Sequence, residues 1–272
     1  MKYFSKIYLV LIFGILYIPI LTLILFSFNA SNSTALFTGF SLRWYAELFN
    51  SPDTFEALRN TLILAVLSSL IATVIGTAAA EGIYKMRSKL LKGTITSVTN
   101  IPMMNPDIVT GMSMMLFFVA VAAILGVTYE DMGFFAMLIS HVTFSLPYVI
   151  LSVLPRINEL GDSLSEAALD LGCTPIQAFF KVKLPNIMPG VLSGLVLAFT
   201  MSLDDFVISY FVGSSNFQTL PLLIYSMTKK KVTPDMYALS TLIVVTIFIL
   251  LIASNIKSGK KVSKPKGTGV RK

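Results

Sequence analysis

Six runs of about twenty apolar residues, separated by polar stretches, leave this chain few ways to fold. A helix crossing a bilayer needs about that length, and in hydrocarbon every backbone amide must find its partner within the protein. The runs fall at approximately 7–28, 60–80, 94–125, 134–154, 189–212 and 235–256. They predict an all-α membrane protein of six transmembrane helices with both termini on one side. The composition agrees: of 272 residues 55% are hydrophobic and 13% charged, with mean hydropathy +0.78, which excludes a soluble enzyme and a disordered chain. One cysteine, Cys173, excludes a disulfide framework. It also excludes a Cys-rich metal site, and a single histidine leaves little material for a His-based metal centre and no visible catalytic cluster.

The first run follows Lys2 and Lys6 and precedes the small residues Ser27, Ala30 and Ser31, as a signal peptide would. A signal core is about 7 to 15 residues, shorter than this run, so 7–28 reads as a retained first helix. Lysine and arginine accumulate in cytoplasmic loops. With the N-terminus inside, sixteen of the twenty-one fall on the inner side. Arg43, Arg59 and the cluster Lys229, Lys230 and Lys231 fall outside. Both termini are therefore expected in the cytoplasm. The net charge of +7 is a topology signal carried largely by the tail, and nucleic-acid binding is not needed to explain it. The organisation expected is a cytoplasmic N-terminus at 1–6, a transmembrane domain at 7–256 with a core permease region at about 58–254, and a basic tail at 257–272.

Two loops exceed what a connector needs. The outer one, 29–59, contains Phe40-Ser41-Leu42-Arg43-Trp44-Tyr45 and reads as a short surface helix or lid. The inner one, 156–188, has helix-forming character. Ser163 or Ser165 can cap a first helix with Leu164, Ala168 and Leu171 on one face, and Gly172 can end it. Thr174-Pro175 can start a second helix, bearing Ile176, Phe179 and Phe180 and stopping before Pro185. Such a pair can lie on the membrane and present a knob to a cytosolic partner.

Within this loop, Glu166-Ala167-Ala168, three residues, Gly172, nine residues, Val182, one residue and Leu184-Pro185 resemble the EAA loop of ABC importer permeases, with valine where isoleucine is common. The resemblance implies a coupling helix pair that docks into a groove on a separate ATPase, with Glu166 and Gly172 at its centre and Ala167, Ala168, Leu184 and Pro185 in the same motif. No G-x-x-x-x-G-K-[ST] phosphate loop occurs in the sequence, so ATP and its magnesium belong to the partner.

Three carboxylates fall inside predicted spans: Asp107 in the third, Asp204 and Asp205 in the fifth. Ionised groups at such depth are costly and usually face a bundle interior or a water-filled path. Pairing within the bundle, or protonation, is the structural alternative. Counted at 1.5 Å per residue from the start of each span, Asp107 and Asp204 both stand about 20 Å up. Pro102 and Pro106 predict a broken or kinked helix just below Asp107. Ser202, Asp205 and Ser209 recur at helical spacing as a polar stripe, with Asp204 about 100° away. Acids in a pathway favour a cationic cargo. Trp44 offers either a cation-π surface or an interfacial anchor. His141, beside Thr143 and Ser145, reads as a hydrogen-bonded packing residue in preference to a proton relay. Met112, Met114 and Met115 and the small-residue run 76–80 read as helix packing.

The segments 202–209, 106–111 and 40–44 are similar to those of permease subunits from spermidine and putrescine importers, over about 8–256. This similarity implies a type I ABC importer fold in a bacterial inner or plasma membrane. It also implies a homologous second permease, an ATPase dimer and an extracytoplasmic polyamine-binding protein as partners. Carried over, Trp44, Asp107, Ser202, Asp204 and Asp205 become candidate polyamine contacts and Glu166 a coupling residue. The rivals are an ABC permease for ferric iron, thiamine or an oxyanion, of which the acids disfavour only the oxyanion, and a gradient-driven transporter, which has no need of an EAA loop.

Overall fold

The computed structural model describes residues 2–32, 36–230 and 234–259. The chain forms two compact units, one from 1–45 with 233–272 and one from 46–232.

The first unit holds α1 (Lys2–Phe26), the loop after it and α12 (Pro234–Gly259). Side chains of α1 from Lys6 onward are largely exposed and apolar, as contact with lipid or a partner helix demands. Pro19 lies inside α1 without ending it. Beyond α1 the backbone folds back through a bridge between Asn29 and Phe40. Asn29 organises the turn: its Oδ1 accepts from Thr38 N at 2.9 Å and its Nδ2 donates to Leu36 O at 2.8 Å. The short helix expected in this loop is α2 (Arg43–Asn50).

The second unit is built on α3 (Pro52–Lys85), α6 (Tyr129–Leu160) and α9 (Leu184–Asp204), which pack on one another. Between α3 and α6 run α4 (Lys89–Met104) and α5 (Asp107–Leu125). Between α6 and α9 run α7 (Ser163–Asp170), α8 (Pro175–Ala178) and a π-helical turn (Phe179–Lys183). After α9 come α10 (Val207–Val212) and α11 (Leu220–Lys230).

Among the described residues, five helical segments are long and apolar enough to cross a membrane, in α1, α3, α5, α6 and α8–α9, and α12 contributes a shorter apolar stretch. The second and fourth runs extend beyond the expected 60–80 and 134–154, because the flanking polar turns are helical too. Thr128 and Asp131 form a capping box at the start of α6, and Pro52 occupies the first turn of α3. The third and fifth runs are each interrupted, at Asn105-Pro106 and at Asp205-Phe206. Most of the expected basic tail, 260–272, and Lys231 lie outside the described residues, as does the Lys230 side chain.

Hydrophobicity gives helices little reason to associate inside lipid, so close backbone approach at small residues must do it. A Cβ at Gly76 of α3 would stand 2.7 Å from Val149 Cγ1 of α6, and one at Gly194 of α9 would stand 3.2 Å from the Cα of the same valine. Val149 is thus wedged between two glycines, with Ala72, Ala80 and Ala198 buried around it. The expected packing role of 76–80 is met at Gly76 and Ala80. Gly76→Ala is expected to lower stability by about 1–3 kcal/mol through overpacking. Adding Val149→Ala should restore most of the loss, read as the thermal midpoint of the purified protein; no recovery would refute the wedge.

Candidate functional site

Several buried polar side chains meet at the break at the end of α9. Asp205 leaves the helix with φ −63° and ψ 123°, and α10 restarts at Val207. Its carboxylate accepts from Ser209 N at 2.8 Å and Ile208 N at 3.3 Å, satisfying amides that the first turn of α10 leaves open. His141 of α6, 1% exposed, lies against the same carboxylate, with Nε2 3.5 Å from Asp205 Oδ2 and 3.3 Å from Ser209 Oγ. Nδ1 shares a 2.7 Å hydrogen bond with Ser202 Oγ, and Ser68 of α3 donates to that oxygen at 2.9 Å. Ser202 Oγ thus bridges the imidazole to Ser68 on one side of the ring, while Asp205 and Ser209 face the other. One chain of hydrogen bonds therefore ties α3, α6, α9 and α10 together where the helix is cut.

Ser202, Asp205 and Ser209 do converge as their spacing predicts, but not as a stripe on one continuous helix. The convergence point is His141, whose packing role the sequence suggested without revealing its partners. The two aspartates part company. Asp205 is turned inward to protein donors; Asp204, the last residue of α9, is exposed.

Asp107 opens α5 after the turn at Asn105-Pro106, with Val109 N and Thr110 N both bonded to Pro106 O. Its side chain is exposed, and Tyr148 of α6 lies within electrostatic range of it. Because α4 and α5 are separate helices, counting rise from residue 94 does not give the height of Asp107, and the equal-depth estimate with Asp204 falls. α5 does approach α10: a Cβ at Gly111 would come within 2.9 Å of Phe211 Cδ2.

Trp44 belongs to the first unit. It is buried, its indole N–H donates to Asn29 O at 2.6 Å, and the Arg43 guanidinium lies 5.1 Å from its ring centroid. One face already carries a cation, and the ring acts as the core of its loop.

The loop between α6 and α9 forms the expected pair of short helices. Asp162, not Ser163 or Ser165, precedes α7, and it makes no side-chain cap. Gly172 ends the helix at φ +86°, a left-handed conformation suited to glycine. Thr174 and Gln177 form a capping box around Pro175. Glu166, Ala167 and Gly172 are exposed, Ala168 is buried, and Leu171, Ile176 and Phe180 project outward. The second helix does not stop before Pro185. It passes through the π turn, in which Leu184 N bonds to Phe179 O, and continues as α9 with Pro185 in the first turn. The wider turn accommodates a residue that has no amide to donate.

Sequence reading missed the anchor of this loop. Lys183, inside the motif, is 3% exposed; its Nζ lies 2.8 Å from Glu81 Oε2 and 4.4 Å from the Tyr84 ring centroid. Lys85 also reaches Glu81, at 3.1 Å. In the sequence Lys183 looks like one more loop cation, and only Glu81, the acid after the small-residue run, hinted at a partner.

Residues 72–257 match the model of a family described as "Binding-protein-dependent transport system inner membrane component". The chain is 38% identical over 242 residues to the putrescine transport system permease protein PotI of Escherichia coli K12, covering 89% of this chain and 86% of that protein. It is equally similar, 38% over 245 residues and 90% of both chains, to the spermidine/putrescine transport system permease protein PotC of the same strain. Similarity to a PotC homolog of Mycoplasma genitalium is 31% over 235 residues, 82% of this chain and 80% of that one. Among solved structures, a bacterial ABC transporter that imports the acidic polysaccharide alginate shares the fold, with TM-score 0.76 at 16% identity over 96% of both chains. The MetNI methionine ABC transporter does so with TM-score 0.62 at 21% identity, covering 79% of this chain and all of that one.

Proposed function

Because this chain belongs to the family of binding-protein-dependent transport system inner membrane components, we propose that it is one permease subunit of an ATP-driven polyamine importer. The observation that carries the substrate class is similarity across about nine-tenths of the chain to permeases named for putrescine and for spermidine. The exposed carboxylates of Asp107 and Asp204 supply the matching chemistry, since a protonated amine needs a counter-charge that can also release it. In this reading both termini lie in the cytoplasm. A second permease completes the pathway, an external binding protein delivers the cargo, and an ATPase pair supplies the energy.

Each group then has its task. Glu166, Ala167 and Gly172, exposed on the α7 corner, meet the ATPase, with the apolar tips Leu171, Ile176 and Phe180 filling its groove. Ala168, buried, seats that corner on the permease, and Leu184 and Pro185 begin the helix that carries its movement to the break at Asp204-Asp205. Ser202 and Asp205 position that break through His141, while Asp204 and Asp107 contact cargo. Trp44 stabilises the loop beside which the binding protein docks.

The test is uptake of labelled spermidine and putrescine by liposomes holding the complete complex and its binding protein. Asp107→Asn is expected to lower the initial rate about tenfold, near the 1.4 kcal/mol of one lost charge contact, with complex assembly unchanged. Wild-type uptake of ferric iron or thiamine but no polyamine would overturn the substrate. Uptake that follows an ion gradient and ignores ATP would overturn the class.

A further inference from the structure

The turn that joins α3 to α4 carries four cations in eight residues, Lys85, Arg87, Lys89 and Lys92, and no acid. Its depth follows from α3. Between Arg59 and Glu81 that helix bears no charged side chain for 21 residues, about 32 Å at 1.5 Å per residue, which matches the hydrocarbon core of a bilayer. Lys85 stands one turn, about 6 Å, beyond Glu81, and the headgroup layer is about 5–7 Å thick on each side. The turn therefore lies at the level of lipid phosphates.

Two of the four cations are engaged within the protein. Lys85 reaches Glu81 at 3.1 Å, and Lys92 places its Nζ 5.5 Å from the Tyr84 ring centroid. Arg87 and Lys89 are exposed, and no carboxylate among the described residues forms an ion pair with either. Beside them Leu90 and Leu91, in the first turn of α4, are 79% and 57% exposed. A topology signal needs only the sum of the positive charge; it does not call for unpaired cations next to exposed leucines. A soluble acidic partner would satisfy the cations and leave the leucines in water. A phospholipid of negative charge satisfies both, because it carries a phosphate and, next to it, acyl chains.

We propose that this turn is a binding site for the headgroup of an anionic phospholipid, with Arg87 and Lys89 on the phosphate and Leu90 and Leu91 against the upper acyl chains. The site rests on the reading of the chain as a membrane permease and is independent of its cargo. Lys85 links it to the rest of the fold. It shares Glu81 with the buried Lys183, whose Nζ lies 2.8 Å from that carboxylate, so a phosphate that draws Lys85 outward leaves Glu81 wholly to Lys183. Anionic lipid then holds the π turn to α3 more firmly.

The test is native mass spectrometry of the complete complex in detergent, titrated with dioleoyl phosphatidylglycerol or dioleoyl phosphatidylcholine, together with the thermal midpoint of the same samples. Wild type is expected to retain phosphatidylglycerol in preference to phosphatidylcholine, and its midpoint to rise by about 2–4 °C with phosphatidylglycerol alone. Arg87→Gln combined with Lys89→Gln should weaken phosphatidylglycerol retention about tenfold, since each cation contributes several-fold at a membrane surface, and should abolish the rise. Its midpoint without added lipid should match wild type, which separates loss of the site from damage to the fold. Arg87→Lys keeps the charge and should stay within about twofold of wild type. Equal retention by wild type and the double variant would overturn the site. So would an equal rise in midpoint with glycerol phosphate, because a soluble ion would then suffice. A double variant that loses its ATPase subunits while retaining lipid would make the turn a protein contact and also overturn the proposal. Polyamine uptake is not the readout, so failure of the cargo assignment cannot imitate failure of the lipid site.

Discussion

Glu81→Leu is expected to lower stability by about 3–5 kcal/mol, more than any single change in the loop between α6 and α9, because it leaves the buried Lys183 ammonium without a counter-charge. Lys183→Met should cost clearly less. It removes a cation from a site where Glu81 keeps Lys85 at 3.1 Å, a partner with access to solvent. The double variant should lie near Lys183→Met, since it strands no buried charge. The three are separated by thermal unfolding of the purified complex. Equal losses for the two single variants would mean that the Glu81–Lys183 pair is not the element that holds the π turn to α3. The same pair lies between the exposed α7 corner and the transmembrane bundle. Lys183→Met is therefore also expected to reduce the ATPase response to substrate even where the protein remains folded.

The second large effect divides the adjacent aspartates. Asp204→Asn is expected to lower polyamine uptake about tenfold with no change in thermal stability, because the exposed carboxylate makes no contact that the fold depends on. Asp205→Leu should lose both. It removes the acceptor of two helix amides, worth about 0.5–2 kcal/mol as a cap. It also takes the carboxylate away from Nε2 of the buried His141, which keeps only Ser209 Oγ at 3.3 Å, adding about 1 kcal/mol. Asp205→Asn should retain most of the stability, since asparagine caps almost as well as aspartate. A transport defect in Asp205→Asn as deep as that of Asp204→Asn, with stability intact, would instead make Asp205 a cargo contact. The measurements are uptake by reconstituted complex and thermal unfolding of the same preparations.

The class of this protein was legible because the bilayer imposes its rule on every residue of a span. Runs of apolar residues, the sign bias of the loops and the glycine and proline positions of the α7–α8 corner are local properties, and each is visible without knowing what it packs against. The same holds for the break before Asp107, where two prolines within five residues remove amides from the helix. The fates of the acids were not legible. Asp204 and Asp205 are neighbours of one chemical type, and helical spacing alone grouped Asp205 with Ser202 and Ser209 as a stripe that a continuous helix would carry. The chain instead breaks at Asp205, and what makes that break tolerable is His141, more than sixty residues earlier, reached through α6.

Lys183 presents the same lesson at the other end of α9. A loop cation and a span-end acid, 102 residues apart, become one buried pair only when α3 and α9 pack together. Their packing depends on glycines, whose sequence positions declare flexibility but not which side chain will fill the space. The sequence by itself therefore determined that the chain is a bundle of membrane helices with an exposed two-helix corner, since hydropathy, charge bias and turn chemistry act over a few residues. Tertiary structure alone decided which polar groups are paired within the protein and which stay exposed. That choice turns on distances between helices remote in sequence, and a buried charge or imidazole must be paired by whichever helix arrives beside it.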